Sequence, residues 1–160
     1  MAAYTSAGST LRVTATAPAT FNSAGYGTIF PTTPAAGNPV IGEITDLGEF
    51  GREYALVTHS PVGNRATQKF KGSFNEGTMN VSLALDTDDA GQILMKTAST
   101  ADADYYFEVK TQVGDKYYFP AKVMSWKVGV GGVDQITTAT ATLELSTSSG
   151  GVGIVEVLAA

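Results

Sequence analysis

The acidic run DTDDAG, Asp86 to Gly91, places Asp86, Asp88 and Gly91 at the first, third and sixth positions of an EF-hand calcium loop. The rest of such a loop is missing. Position five is Ala90 and position twelve is Thr97, where an oxygen donor and a bidentate glutamate are required. The run is therefore expected to open a helix, with Asp88 or Asp89 as its N-cap and the acids favoured by the positive end of the helix dipole. No metal site is expected. His59, the sole histidine, precedes Ser60, but nucleophilic catalysis needs partners assembled in space, and adjacency in sequence does not provide them. With no cysteine, no HExxH pair and no GxSxG elbow, the expectation is that the chain is no enzyme and uses no cofactor. The glycine cluster VGVGGVD puts Asp134 where a dinucleotide fingerprint ends in glycine, so it reads as a turn. Tyr105, Tyr106 and Phe107, with Tyr117, Tyr118 and Phe119, would suit a base-stacking platform, but few basic residues accompany them. Aromatics in paired strands pack mostly against cross-strand neighbours, so core or subunit contact is the expected role.

Composition narrows the class further. A chain of 160 residues is long enough for one domain with a real core, and 43% apolar residues argue against disorder. Eighteen glycines and abundant Thr, Ser and Ala point to many turns and extended segments, hence an all-β domain. The net charge of −5 argues against a simple nucleic-acid-binding surface, which needs basic residues to displace counterions. Absence of cysteine excludes disulfides and fits a cytosolic origin. The segment before Arg12 lacks the pattern of a secretory signal, and no segment reaches the roughly 20 apolar residues that span a bilayer, so no membrane partner is expected.

The elements that must position these residues follow from periodicity. Ser9 to Ala17 alternates as a half-buried strand, and Thr78 to Leu85 does so more cleanly, with Met79, Val81, Leu83 and Leu85 on one face. Pro18 to Pro39, rich in Pro, Gly, Ala and Asn, reads as a long irregular connection within a single domain, 1–160. Val40 to Leu47 and Glu53 to Thr58 read as strands, paired as a hairpin, and 60–77 carries turn signals. Ala90, Ile93, Leu94, Thr97 and Ala98 draw one face of a helix, so Leu83 and Ile93 are both expected to be buried. Tyr105 to Lys110, Lys116 to Val128, Asp134 to Ser146 and Gly150 to Val157 supply further extended segments. The expected architecture is all-β with one α-helix, a β-sandwich or barrel.

The succession STLRVTATAPATF, GEITDLGEFGREYALVTHSPVGNRATQKFKGS, GTMNVSLALDTDDAGQILMKTA and DKYYFPAKVMSWKVGVGGVDQITTATATLEL resembles the tail tube (major tail) proteins of long-tailed phages. The resemblance implies a structural virion protein with a β-sandwich and one flanking helix, related in fold to the tubes of contractile tails and type VI secretion systems. It implies hexameric rings that stack around a tape measure protein, later replaced by passing DNA, with tail tip and terminator proteins as further partners. The protein would reside in the virion tail, and in the host cytoplasm before assembly. The connection Pro18 to Pro39 is longer here than in that family's pattern. A competing class is a secreted or surface β-sandwich that binds carbohydrate or protein, for which no export signal speaks.

The resemblance also implies that the region between the early strands, Gly48 to Lys71, is an arm reaching a neighbouring subunit or ring. His59 would then be an interface residue. Independently, Arg52, Arg65, Lys69 and Lys71 gather four of the ten basic residues in this span, and an otherwise acidic subunit would attract such an arm. Three strands present small polar residues opposite an apolar face: Thr78, Asn80 and Ser82; Thr138, Thr140, Thr142 and Glu144; Glu43 and Thr45. In a ring some of these faces line the channel. A conduit for DNA should avoid cationic adhesion, so Glu43 and Glu144 are expected at an acidic or neutral lumen.

Overall fold

The computed structural model describes residues 3–159. In chain order its elements are β1 (Thr10–Thr14), α1 (Ser23–Ile29), β2 (Ile44–Asp46), β3 (Glu53–His59), β4 (Gln68–Asn75), β5 (Thr78–Ala84), α2 (Ala90–Thr100), β6 (Tyr105–Lys110), β7 (Lys116–Gly129), β8 (Thr138–Leu145) and β9 (Val155–Val157). Strands β1, β6, β7, β8, β5 and β2 lie side by side in that order, and β9 pairs with β7 to complete a seven-stranded sheet. β3 and β4 form a separate two-stranded sheet.

Alternation explains the core. Met79, Val81 and Leu83 of β5 are buried as expected, and so are Ala139, Ala141, Leu143 and Leu145 of β8. They join Leu11 and Val13, Phe107 and Phe119, and Met95 and Ala98 of α2 in one cluster, about which the sheet curls as a half-barrel. The paired aromatics belong to this packing. Phe107 and Phe119 face each other across β6 and β7, their rings stacked at 5.7 Å. The chain is mostly β, but a curled single sheet takes the place of two sheets packed face to face.

Among the described residues there are two helices rather than one. Within the connection Pro18 to Pro39, Asn22 caps α1 by accepting a hydrogen bond from the Gly25 amide at 2.9 Å. Tyr26 and Phe30 then stack on Tyr118 at 5.2 and 5.9 Å, with Phe21 and Val155 around them. The helix is short and holds two glycines, so its apolar stripe is too brief to read as a period. Arg12 ties down the rest of the connection. Its guanidinium donates to the Pro31 carbonyl at 2.7 Å, to the Asn38 side-chain oxygen at 2.7 Å and to the Asn38 carbonyl at 3.2 Å, and lies 3.5 Å from buried Glu108.

Helix α2 sits one step away from its expected orientation. Asp89, not Asp88, is the N-cap, accepting from the Gln92 amide at 2.9 Å and from the Gly42 amide at 3.1 Å. The buried face is Gly91, Gln92, Met95 and Ala98, while Ile93 is 51% exposed, contrary to the periodicity. Two contacts turn the helix. Gly91 lies so close to the backbone of Val40 and Ile41 that a Cβ there would meet the Val40 carbonyl at 2.5 Å. The Gln92 amide group donates to the Gly42 and Ala84 carbonyls at 3.0 and 2.9 Å and accepts from the Asp86 amide at 2.9 Å. Satisfying three backbone groups makes burial of this polar residue favourable.

Candidate functional site

The expected hairpin of Val40–Leu47 with Glu53–Thr58 does not form. β2 pairs with β5, and β3 turns back through 60–67 to pair with β4, a strand that the turn signals concealed. The arm is this hairpin, running from Glu53 to Asn75 rather than ending at Lys71. Directly opposed residues share a face. Tyr54 opposes Phe74, Leu56 opposes Lys71 and Thr58 opposes Lys69, which sets one face; Val57 opposes Phe70 and His59 opposes Gln68, which sets the other.

Both faces expose apolar side chains. Leu56 is 67% and Phe70 54% exposed, and Tyr54, Val57 and Phe74 are exposed as well. A lone two-stranded hairpin is marginal in water, so this one is suited to receive support from outside the subunit. The first face carries a chain of cation and ring contacts: Arg52 stands 3.9 Å above Phe74, Phe74 meets Tyr54 edge-on at 5.8 Å, and Lys71 lies 4.9 Å from the Tyr54 ring centroid. Rigid aromatics clasped by cations suit an acidic partner surface.

The five arm residues singled out from sequence have different situations. Lys69 and Lys71 lie on the first face and His59 on the second, beside the tip that carries Arg65. Arg52 is engaged within its own subunit: its Nε and Nη2 lie 2.8 and 2.7 Å from one oxygen of Glu76, whose side chain is buried. At the arm's root, Gly48 and Gly77 adopt positive φ of 70° and 92°. That left-handed conformation favours glycine, and a Cβ on Gly48 would also strike the Asn80 carbonyl at 2.4 Å.

The polar strand faces come together in part. Thr78 opposes Glu144, Asn80 opposes Thr142, Ser82 opposes Thr140 and Ala84 opposes Thr138, so two of the three predicted rows form one continuous face. Thr78 donates to Glu144 at 2.8 Å and Thr142 to Asn80 at 3.1 Å. Glu43 lies beside the end of this row, its carbonyl accepting from the Ala84 amide at 2.9 Å. It precedes β2 at a φ of 59°, which breaks the alternation, and a bulge at Thr45 leaves Asp46 opposite Ser82. Thr45 donates to the Ser82 carbonyl at 3.1 Å. The face is not purely acidic or neutral. Lys122 opposes Glu144 and Lys127 opposes Thr140, with Lys122 also paired to Asp104. Sequence periodicity hid Lys127, because a bulge between Val123 and Ser125 shifts the register of β7.

The remainder of the same sheet face is covered by α1 and its connection. Tyr118, opposite Glu108, lies under the Tyr26 ring, and burial pushes both phenols well above their ordinary range, with Tyr106 and Glu108 respectively adding to the effect.

No protein-family model matches the chain, and no curated protein does. Among solved structures, a chain in the cryo-EM structure of the anti-feeding prophage (AFP) baseplate, 6-fold symmetrised, superposes with a TM-score of 0.61 at 11% identity, covering 91% of this chain and 93% of that one. The two share a fold over nearly their whole lengths. A type six secretion system protein matches with a TM-score of 0.38 at 12% identity, over 72% of this chain and 86% of that one, and carries no weight at that score.

Proposed function

We propose that the chain is a structural subunit of a phage-tail-type tube, forming hexameric rings that stack into a conduit. The observation that carries this reading is the hairpin Glu53–Asn75, which exposes apolar side chains on both faces and stands apart from the main sheet. Ordering such an arm is unfavourable unless a neighbour receives it. The likeness in fold to a chain of the AFP baseplate supports the reading. A tape measure protein would occupy the lumen before DNA passes, and tail tip and terminator proteins would close the ends. The chain would reach the virion tail from the host cytoplasm, and its role is structural rather than catalytic.

In this reading the threonine-rich face of β5 and β8 lines the channel. The Thr78 and Thr142 hydroxyls bond to neighbours on the same face, and Lys122 is paired with Asp104, which limits its adhesion to phosphate. Negative-stain microscopy and sedimentation of the purified chain at rising concentration test the assembly. Rings or tubes, and mass growing beyond a monomer, are expected. A sharp monomer at every concentration, in physiological and in high-phosphate buffer alike, would overturn the proposal.

A further inference from the structure

Beside α2 the core face of the sheet is left open. The outer half of β7 carries Trp126 and Val128 on the face it shares with Ala141 and Ala139 of β8, but Trp126 is only partly buried and Val128 is exposed. A groove of about 260 Å³ results, lined by Asp86, Thr87, Ile93, Lys96, Trp126 and Val128. Ile93 and Val128 are each about half exposed, while Trp126 and Leu85 on the same lining pack against the buried core. Large apolar side chains rimmed by polar groups in this way mark an interaction surface.

We propose that this groove receives the arm of a second copy of the chain, seated by its Tyr54–Leu56 face. The inference rests on the tube reading and names the acceptor within it. The two surfaces match in chemistry. Leu56 stands between Lys71, its cross-strand partner, and Lys69, one pair further along, so an exposed aliphatic group is flanked by two cations. In the groove, Ile93, Trp126 and Val128 supply the apolar lining, and Asp86 supplies negative charge. Lys96 is the one cation on the lining. The asymmetry extends to the whole subunit. Segment 52–75 holds four basic residues and one acid, which leaves the rest of the chain six basic residues against fourteen acids. An arm of one sign and a body of the other favour head-to-tail contact between copies, which is how heterologous rings and stacks are built.

Absence of native cysteine makes the contact directly readable. Leu56→Cys and Ile93→Cys are prepared separately, each at an exposed position, mixed, assembled and oxidised. The expected product is a covalent dimer that contains one of each variant and disappears on reduction. Lys69→Glu in the Leu56→Cys chain should abolish it, and Asp86→Lys in the Ile93→Cys chain should restore it. Rings or tubes that form without this cross-link, or a cross-link only when both cysteines occupy one chain, would overturn the groove assignment while leaving the tube reading intact. Failure of the mixture to assemble, with the parent chain also monomeric, would overturn both.

Discussion

The guanidinium of Arg52 binds the buried carboxylate of Glu76 at 2.7 Å while its flat face covers the ring of Phe74 at 3.9 Å. One side chain therefore joins the domain to the arm. Glu76 is 3% exposed, and Gly153 packs so closely that a Cβ there would lie 2.3 Å from the carboxylate carbon. Arg52→Ala should leave that buried carboxylate without its charged partner and lower stability. Urea unfolding measures the loss. Limited proteolysis should show earlier cleavage between 53 and 75, and equal cleavage in both proteins would disprove the buttress.

Helix α2 supplies a contrast between neighbours. Met95→Ala and Leu83→Ala, both at fully buried positions, should each cost about 2–5 kcal/mol. Ile93→Ala should stay within about 0.5 kcal/mol in the free subunit, because the side chain is half exposed. A shift in urea midpoint for Ile93→Ala as large as that for Met95→Ala would refute the observed helix orientation.

The cap assignment separates two adjacent acids. Asp89→Ala removes the acceptor for the Gln92 and Gly42 amides and should destabilise by about 1–2 kcal/mol. Asp88→Ala should have almost no effect. Thermal unfolding of the two variants decides the matter, and equal effects would be the wrong result.

The stacked phenols predict an alkaline limit. A tyrosine whose folded pKa is raised contributes stability that is intact below the unfolded value of about 10 and is lost as pH climbs through the folded value. Tyr26 and Tyr118 both have raised values, so stability should be flat up to about pH 10 and fall above it. Among the described residues the buried Tyr26 hydroxyl has no hydrogen-bond partner, so Tyr26→Phe should cost little at neutral pH and reduce the alkaline loss. Unfolding curves from pH 8 to about 11 in both proteins test the sign; a steeper alkaline loss in Tyr26→Phe contradicts it.

Arm and domain should respond separately to mutation. Phe70→Ser, at an exposed site on a hairpin apart from the main sheet, should change subunit stability by less than about 1 kcal/mol. It should nevertheless reduce the mass reached in sedimentation. Unfolding of the whole subunit by this substitution would place the arm inside the cooperative core.

Strands with clean alternation were legible before any coordinates. β5 shows this best, since Met79, Val81 and Leu83 have a single buried destination. Legibility failed where a local rule was overridden from a distance. Ile93 obeys the helical period, yet Gly91 and Gln92 orient α2 through contacts with Val40, Gly42 and Ala84, residues remote in sequence. Lys127 was missed because a bulge in β7 reverses the meaning of alternation. β4 escaped because QKFKGSFN is exposed on both faces and shows no one-sided pattern. The concentration of basic residues between Arg52 and Lys71 was legible, since charge is written in composition. Its acceptor was not, because Trp126, Ile93 and Asp86 meet only through the fold.

Gly48 and Gly77 flank the arm at the two points where it leaves the sheet, and both hold conformations that other residues resist. Both glycines are close-packed against backbone, Gly48 on Asn80 and Gly77 on Gly51, and with the Arg52–Glu76 contact they fix the direction in which the hairpin departs. In the proposed tube, a strut held at one angle would set the same offset between every pair of copies. The pitch of the stack would then be written into each subunit before it meets a neighbour.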